Sequence, residues 1–212
     1  MTDAFNPGDY WEARHAELQG DHRNVGNRGL TSEQNLNLIA SKAALVCHRL
    51  GALGLKAGAS VLDAGCGSGT FTSMLAPIGF QLFGCDISPT AIDAARELGI
   101  GEFNVSSLAK VGFDRTFDAV LCLDVLFHVV DDAQWHASVT GLYHATRPGG
   151  YFFVVEHFPK PGSKQATHCR WRSLDDYEGA LKGANWIEVL GYQYPQQRVP
   201  KTLMIVQRPE GA

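Results

Sequence analysis

Val61-Leu62-Asp63-Ala64-Gly65-Cys66-Gly67-Ser68-Gly69 is the passage on which the fold turns. The apolar run Ser60 to Ala64 reads as a short buried strand, and three alternate glycines break it at once. Thr70 to Leu75 then has a helical pattern as far as Pro77. Glycines at such a turn reach positive φ and let the backbone approach a ligand closely, so strand, loop and helix together read as a ligand-binding crossover. Gln81 to Cys85 forms a second strand closed by Asp86. Ser88-Pro89 supplies an N-cap with proline at the first helical position, opening a helix from Thr90 to Leu98.

The alternation continues toward the C-terminus. A weak strand at Glu102 to Val105 and a strong one at Phe117 to Leu123 precede a helix from Asp132 to Thr146 and a strand from Tyr151 to Glu156. Strands alternating with helices of this length give a parallel, doubly wound sheet. The tail differs: Leu174 to Gly183 reads as a helix, and Trp186 to Tyr194 and Thr202 to Gln207 as two strands joined through Pro195 and Pro200, which fits an antiparallel pair at one edge. Toward the N-terminus, Thr31 and Gln34 form a capping box before an amphipathic helix carrying Leu36, Ile39, Ala40, Ala43, Cys47 and Leu50 and ending near Gly51. Before it, Tyr10, Trp11, Glu12, Arg14 and His15 suit a short helix. The reading is a single α/β domain, with residues 1–54 as a helical N-terminal cap or lid and residues 55–212 as a Rossmann-like core.

Composition bounds the function. The 212 residues carry 18 Lys+Arg against 22 Asp+Glu, with no basic stripe of the kind that grips phosphates, so nucleic acid is not expected as a partner. Five scattered cysteines, the lack of an apolar leader and the lack of a membrane-length apolar run point to reduced thiols, a cytoplasmic location and no membrane contact. A monomer or homodimer is expected.

The glycine pattern discriminates between cofactors. A dinucleotide fingerprint reads G-x-G-x-x-G and places its third glycine where this chain has Thr70. Asp86, at the end of the next strand, is placed to accept hydrogen bonds from both hydroxyls of an adenosine ribose. Asp63, just before the loop, is awkward for a pyrophosphate and suited to an ammonium group. S-adenosylmethionine (SAM), with its α-amino group and sulfonium, fits that charge pattern.

Taken in order, Val61 to Gly69, Asp86-Ile87-Ser88-Pro89, Phe117-Asp118-Ala119-Val120 and Arg147-Pro148-Gly149-Gly150 resemble the class I SAM-dependent methyltransferases over about Val61 to Glu156. The resemblance implies a seven-stranded, mostly parallel sheet of order 3-2-1-4-5-7-6 with strand 7 antiparallel. It implies that Gly65, Gly67 and Gly69, with Asp63 and Cys66 in the same passage, wrap the methionine and ribose of SAM. Asp86 would hold the ribose hydroxyls, Ile87 would flank adenine, and the backbone at Leu123 would face the methionine amino group. Many members carry an Asp after strand 3 for the adenine amine; this chain departs from that pattern with Ser106, followed by Ser107.

Leu123-Asp124-Val125-Leu126-Phe127-His128-Val129 matches the segment after the family's fourth strand, where histidine is common. Asp124 is expected on the cofactor pocket. His128 has two readings, an acceptor-site group or a histidine packed under the sheet edge. Asp131-Asp132 reads as a helix N-terminus and not a metal pair. His157, where the fifth strand ends, is either a general base or a solvated loop histidine. His168 and Arg170 combine with nearby aromatics to suit an acidic or sugar-like acceptor, while Arg172 is expected on the solvated surface. Tyr10, Trp11 and Arg14 suit a lid, with Arg14 either paired to the methionine carboxylate or on a plain surface helix.

The expected activity is SAM-dependent methyl transfer to an oxygen or nitrogen of a small-molecule acceptor. If the acceptor is a hydroxyl, His128 or His157 is the candidate base. No metal is expected, because no matched carboxylate cluster is present to hold one. Peptide or protein methylation, a nicotinamide-dependent oxidoreductase and a non-catalytic SAM-binding protein are the alternatives. The second of these lacks a Tyr-x-x-x-Lys pair as well as the third glycine.

Overall fold

In the computed structural model, which describes residues 5–158, 162–194, 197 and 199–211, the strand–glycine–helix passage lies at the centre of one sheet. The strands are β1 (Ser60–Ala64), β2 (Gln81–Asp86), β3 (Gly101–Val105), β4 (Phe117–Leu123), β5 (Thr146–Glu156), β6 (Asn185–Tyr192) and β7 (Lys201–Gln207). Their order is β3-β2-β1-β4-β5-β7-β6. The first five pair in parallel, and β7 runs antiparallel to both β5 and β6. The expected order and the single reversed strand are both present. Pro195, expected in the connection between the last two strands, falls outside the described residues.

Burial explains the arrangement. All five side chains of β1 are buried, as a central parallel strand covered on both faces requires. One face packs Leu62, Phe83, Val120 and Phe152 against α5 (Asp132–Ala145) and α6 (Leu174–Ala180). The other packs Val61, Leu82, Leu121 and Phe153 against α2 (Ser32–Ala52) and α3 (Thr70–Leu75). α2 contributes Ile39, Ala43, Val46 and Leu50 to that core, so it is a layer of the domain as well as the neighbour of the N-terminal segment. β6, at the edge, alternates half-buried and exposed residues.

Local chemistry sets the helix starts. Thr31 and Gln34 exchange both hydrogen bonds of a capping box ahead of α2. Ser88 caps α4 (Pro89–Glu97) through the amide of Ala91, and Asp131 caps α5 through the amide of Gln134. Each such cap contributes about 1 kcal/mol. α1 (Pro7–Glu17) starts with Asn6 as N-cap. No helix among the described residues is long and apolar enough to cross a membrane, and all five cysteines are free.

Candidate active site

The carboxyl ends of β1, β2 and β4 open into a cavity of about 670 Å³, roofed by α1 and the segment that follows it. That volume lies in the usual range for small-molecule sites, and the crevice beyond the carboxyl edge is where open α/β sheets bind ligands.

Its floor is the glycine loop. Gly65, Gly67 and Gly69 all have left-handed φ, at 81°, 52° and 77°; Gly65 and Gly67 line the cavity, whereas Gly69 does not and faces Leu98 and Ala95. A Cβ on Gly67 would stand 2.3 Å from Cγ1 of Val25, so the conformation and the tight approach of the roof both demand glycine. The amides of Gly65 and Cys66 donate to the carbonyl of Cys85, tying the loop to β2. Asp86 completes the tie. Its Oδ2 accepts from the amide of Gly67 at 2.9 Å and its Oδ1 from that of Ser88 at 3.0 Å, and each oxygen keeps a lone pair for a ligand.

Beside the floor, Asp63 accepts a 2.6 Å hydrogen bond from Thr72, and burial, partly offset by that bond, lifts its pKa to about 6. Cys66, Ile87, Ser106, Ser107, Leu123 and Asp124 also border the cavity.

Asp124 is the one described non-glycine residue with positive φ, at 66°. Its carboxylate is clamped between Lys42 of α2 at 2.7 Å and Lys201 of β7 at 2.8 Å. Burial alone would raise its pKa, but Lys201, and then Lys42, hold it well below the ordinary carboxylate range. The two lysines stand far apart in sequence from Asp124 and from each other, and nothing in their local pattern marks them. Beyond this clamp lies Glu156, 2% exposed, whose pKa burial raises to about 8.

The roof and far wall carry the aromatic groups. Tyr10, Trp11, Arg14, His15, Phe127, His128, His168 and Cys169 all border the cavity. His128 meets the edge of Trp11 at 4.8 Å between ring centroids, and its Nδ1 lies 3.0 Å from the carbonyl oxygen of His168. Burial lowers its pKa to about 4, so it is neutral at pH 7. Tyr10 stacks on His168 at 5.1 Å. Arg14 is buried and donates to the carbonyls of Arg23 and Gly26, which makes it the brace of the roof and not a residue of an open surface helix. Asn35 of α2 holds the same segment through the amide and carbonyl of Asn27. Glu12 latches α1 to the start of α4, accepting from the hydroxyls of Ser88 and Thr90.

Three placements differ from the sequence reading. His157 is buried outside the cavity wall, with Nδ1 3.0 Å from the Pro200 carbonyl oxygen and its ring against Trp171, so it is neither a solvated loop residue nor within reach of the cavity. Arg170 is exposed and spends its guanidinium on Asp132 at 2.6 Å, away from the cavity. Arg172, expected in solvent, is 8% exposed, lies over the Trp135 ring and pairs with the same Asp132. Both arginines are drawn to the acidic start of α5.

Residues 61–150 match the family model of the methyltransferase domain. Over 105 residues the chain is 33% identical to a ubiquinone biosynthesis O-methyltransferase of Xanthomonas oryzae pv. oryzae, covering 46% of this chain and 43% of that protein. A protein of the same name from Xylella fastidiosa is 36% identical over 104 residues, covering 46% of this chain and 41% of its own length. The chain thus matches less than half the length of these relatives. Among solved structures, the magnesium protoporphyrin IX methyltransferase of Synechocystis PCC 6803 with bound S-adenosylhomocysteine (SAH) superimposes with a TM-score of 0.71 at 21% identity, covering 94% of this chain and 97% of that one. A likeness at that identity establishes a shared fold. Residues 61–150 are thus similar to the methyltransferase-domain family, and the chain as a whole shares the fold of the Synechocystis enzyme.

Proposed function

We propose that the protein transfers a methyl group from SAM to an oxygen of a small-molecule acceptor, with nitrogen as the second choice of atom. The observation that carries this reading is the union of floor and wall in one enclosed space. Gly65, Cys66, Gly67 and Asp86 form a cradle for an adenosyl ligand, and the aromatic wall around His128 faces the same cavity. The preference for oxygen rests on the names of the relatives that share residues of the core.

The donor set fits SAM. Asp86 offers two acceptor oxygens for ribose hydroxyls, Ser106 and Ser107 border the place an adenine would take, and the carboxylate of Asp63 suits a cationic ligand. Bound SAM supplies a methyl group already activated on a sulfonium. What the chain adds is alignment and exclusion of water. α1 and Val25 close the floor from above, Trp11 and Tyr10 fix the acceptor's plane, and neutral His128 offers it a hydrogen bond. The Lys42–Asp124–Lys201 clamp carries one net positive charge into the cavity, which favours an acceptor with acidic or phenolic character.

Incubation with SAM and a panel of phenols, catechols, carboxylic acids and amines, with SAH measured as product, tests the reading. SAH release that depends on a phenol or acid supports it. SAM binding with no turnover on any class would reduce the protein to a SAM-binding module.

A further inference from the structure

His128, His168 and Cys169 bring one ligand atom each to within 4.8 Å of one another, on the wall of the cavity and under the aromatic roof. We infer that these three side chains form a divalent metal site of borderline-soft character, suited to zinc, with an open coordination position toward the cavity.

The donor chemistry points to the metal class. Two imidazoles and one thiolate select zinc-like ions over magnesium or calcium, which prefer oxygen. Three protein ligands with a vacant fourth position is the pattern of zinc sites that act on a bound molecule, in contrast to the four-ligand sites that only hold a fold together.

The distances are close to those such an ion requires. With zinc–nitrogen bonds of about 2.0 Å and zinc–sulfur bonds of about 2.3 Å, a tetrahedral site places its nitrogen and sulfur about 3.5 Å apart and its two imidazole centroids about 5 Å apart. Here Sγ of Cys169 lies 3.6 Å from Nδ1 of His128, and the two ring centroids are 5.6 Å apart with planes inclined by only 18°. The three ligand atoms, all within 4.8 Å of one another, would close by up to about 1.5 Å to reach the roughly 3.3 Å nitrogen–nitrogen spacing of a tetrahedral site. The contact that Nδ1 now makes with the His168 carbonyl would be exchanged for the metal bond.

The surroundings suit an enclosed but reachable ion. All three residues are half-buried, with Trp11 against His128 and Tyr10 against His168. The backbone locks the site as well: the amide of Arg170 donates to the carbonyl of Phe127 at 2.7 Å, which holds the 168–170 stretch against the turn bearing His128. A metal there would orient a hydroxyl, thiol or amine of the acceptor. That role rests on the methyl-transfer reading, whereas metal binding itself does not.

Cobalt(II) titration of the full chain in the absence of SAM tests the site, because cobalt reports its ligands by absorption. One equivalent is expected to bind with a thiolate-to-cobalt charge-transfer band and the strong visible bands of tetrahedral geometry, and zinc is expected to displace it. Cys169→Ser should abolish the charge-transfer band, and His168→Gln, which removes a direct ligand, should weaken binding by more than the roughly 10–100-fold that loss of an outer-shell partner costs while leaving circular dichroism unchanged. The second variant serves if the first does not fold. Absence of the band in the wild type, or its persistence in Cys169→Ser, would overturn the proposal. SAM binding measured on the same preparation separates the two readings, since metal binding without SAM binding contradicts only the transferase role.

Discussion

On the side of the cavity proposed for SAM, the working groups are backbone amides and the carboxylates of Asp63 and Asp86, delivered by the single passage from β1 through the glycine loop to the end of β2. On the opposite side they are side chains gathered from α1, α2, the turn after β4, the stretch before α6 and the first residue of β7. The first half is fixed by the conformation of a few consecutive residues. The second exists only once the sheet has assembled, and its electrostatics depend on pairs such as Lys42–Asp124–Lys201 that span most of the chain. Changes to the first half should therefore act through backbone geometry, and changes to the second through charge and packing.

Gly67→Ala attacks the first half most severely. It forces an L side chain into left-handed backbone at a cost of about 1–2 kcal/mol and drives a methyl into Val25, so SAM affinity should fall by about 100-fold in calorimetry. Adding Val25→Ala relieves the clash and not the φ strain, and should recover part of the loss. Full recovery would show that the roof, not the backbone, sets the glycine requirement.

Lys201→Ala tests the second half. It leaves Asp124 with Lys42 alone, which should cost about 2 kcal/mol of stability as read by denaturant unfolding, less than stripping a buried charge of every partner. SAM affinity should change less than stability does. A larger effect on SAM than Gly67→Ala would dissolve the distinction between the halves.

Glu156 supplies a pH test behind the same wall. Its folded pKa of about 8 stands above its ordinary 4.5, so between those values the native state holds a proton that the unfolded chain has lost. The native state's advantage from this group is full below about pH 4.5 and is lost as pH rises through 8. Glu156→Gln should therefore show a flatter fall in melting temperature across that window than the wild type, by scanning calorimetry. The smallest effect is expected from Glu12→Gln, which weakens the latch between α1 and α4 by about 1 kcal/mol, because the pair is accessible to water. Faster hydrogen exchange confined to α1 would register it.

The contrast also explains what the sequence disclosed. The sheet order and the capping box at Thr31 follow from residues whose conformational needs are local, and both are present as read, while Gly65, Gly67 and Asp86 meet at the cavity through the Gly67 amide. The far wall was legible only in part. Tyr10, Arg14, His128 and His168 reach the cavity, but whether a polar residue turns inward depends on partners remote in the chain. His157 turns aside to the Pro200 carbonyl, Asp132 captures Arg170 and Arg172, and Lys42 and Lys201 enter because Asp124 waits between them. Cys169 read as one scattered thiol among five, since only the packed turn brings it to His128.

The most direct test of the central claim is calorimetric titration of the wild-type chain with SAM, with NADH in parallel, repeated on Asp86→Ala. Removing Asp86 should eliminate two charge-assisted hydrogen bonds to the ligand and loosen Gly67, weakening SAM by about 100-fold or more. The account predicts micromolar SAM binding, none for NADH, and that loss in the variant. Absence of SAM binding, preference for NADH, or an Asp86→Ala variant that binds SAM as the wild type does would contradict it.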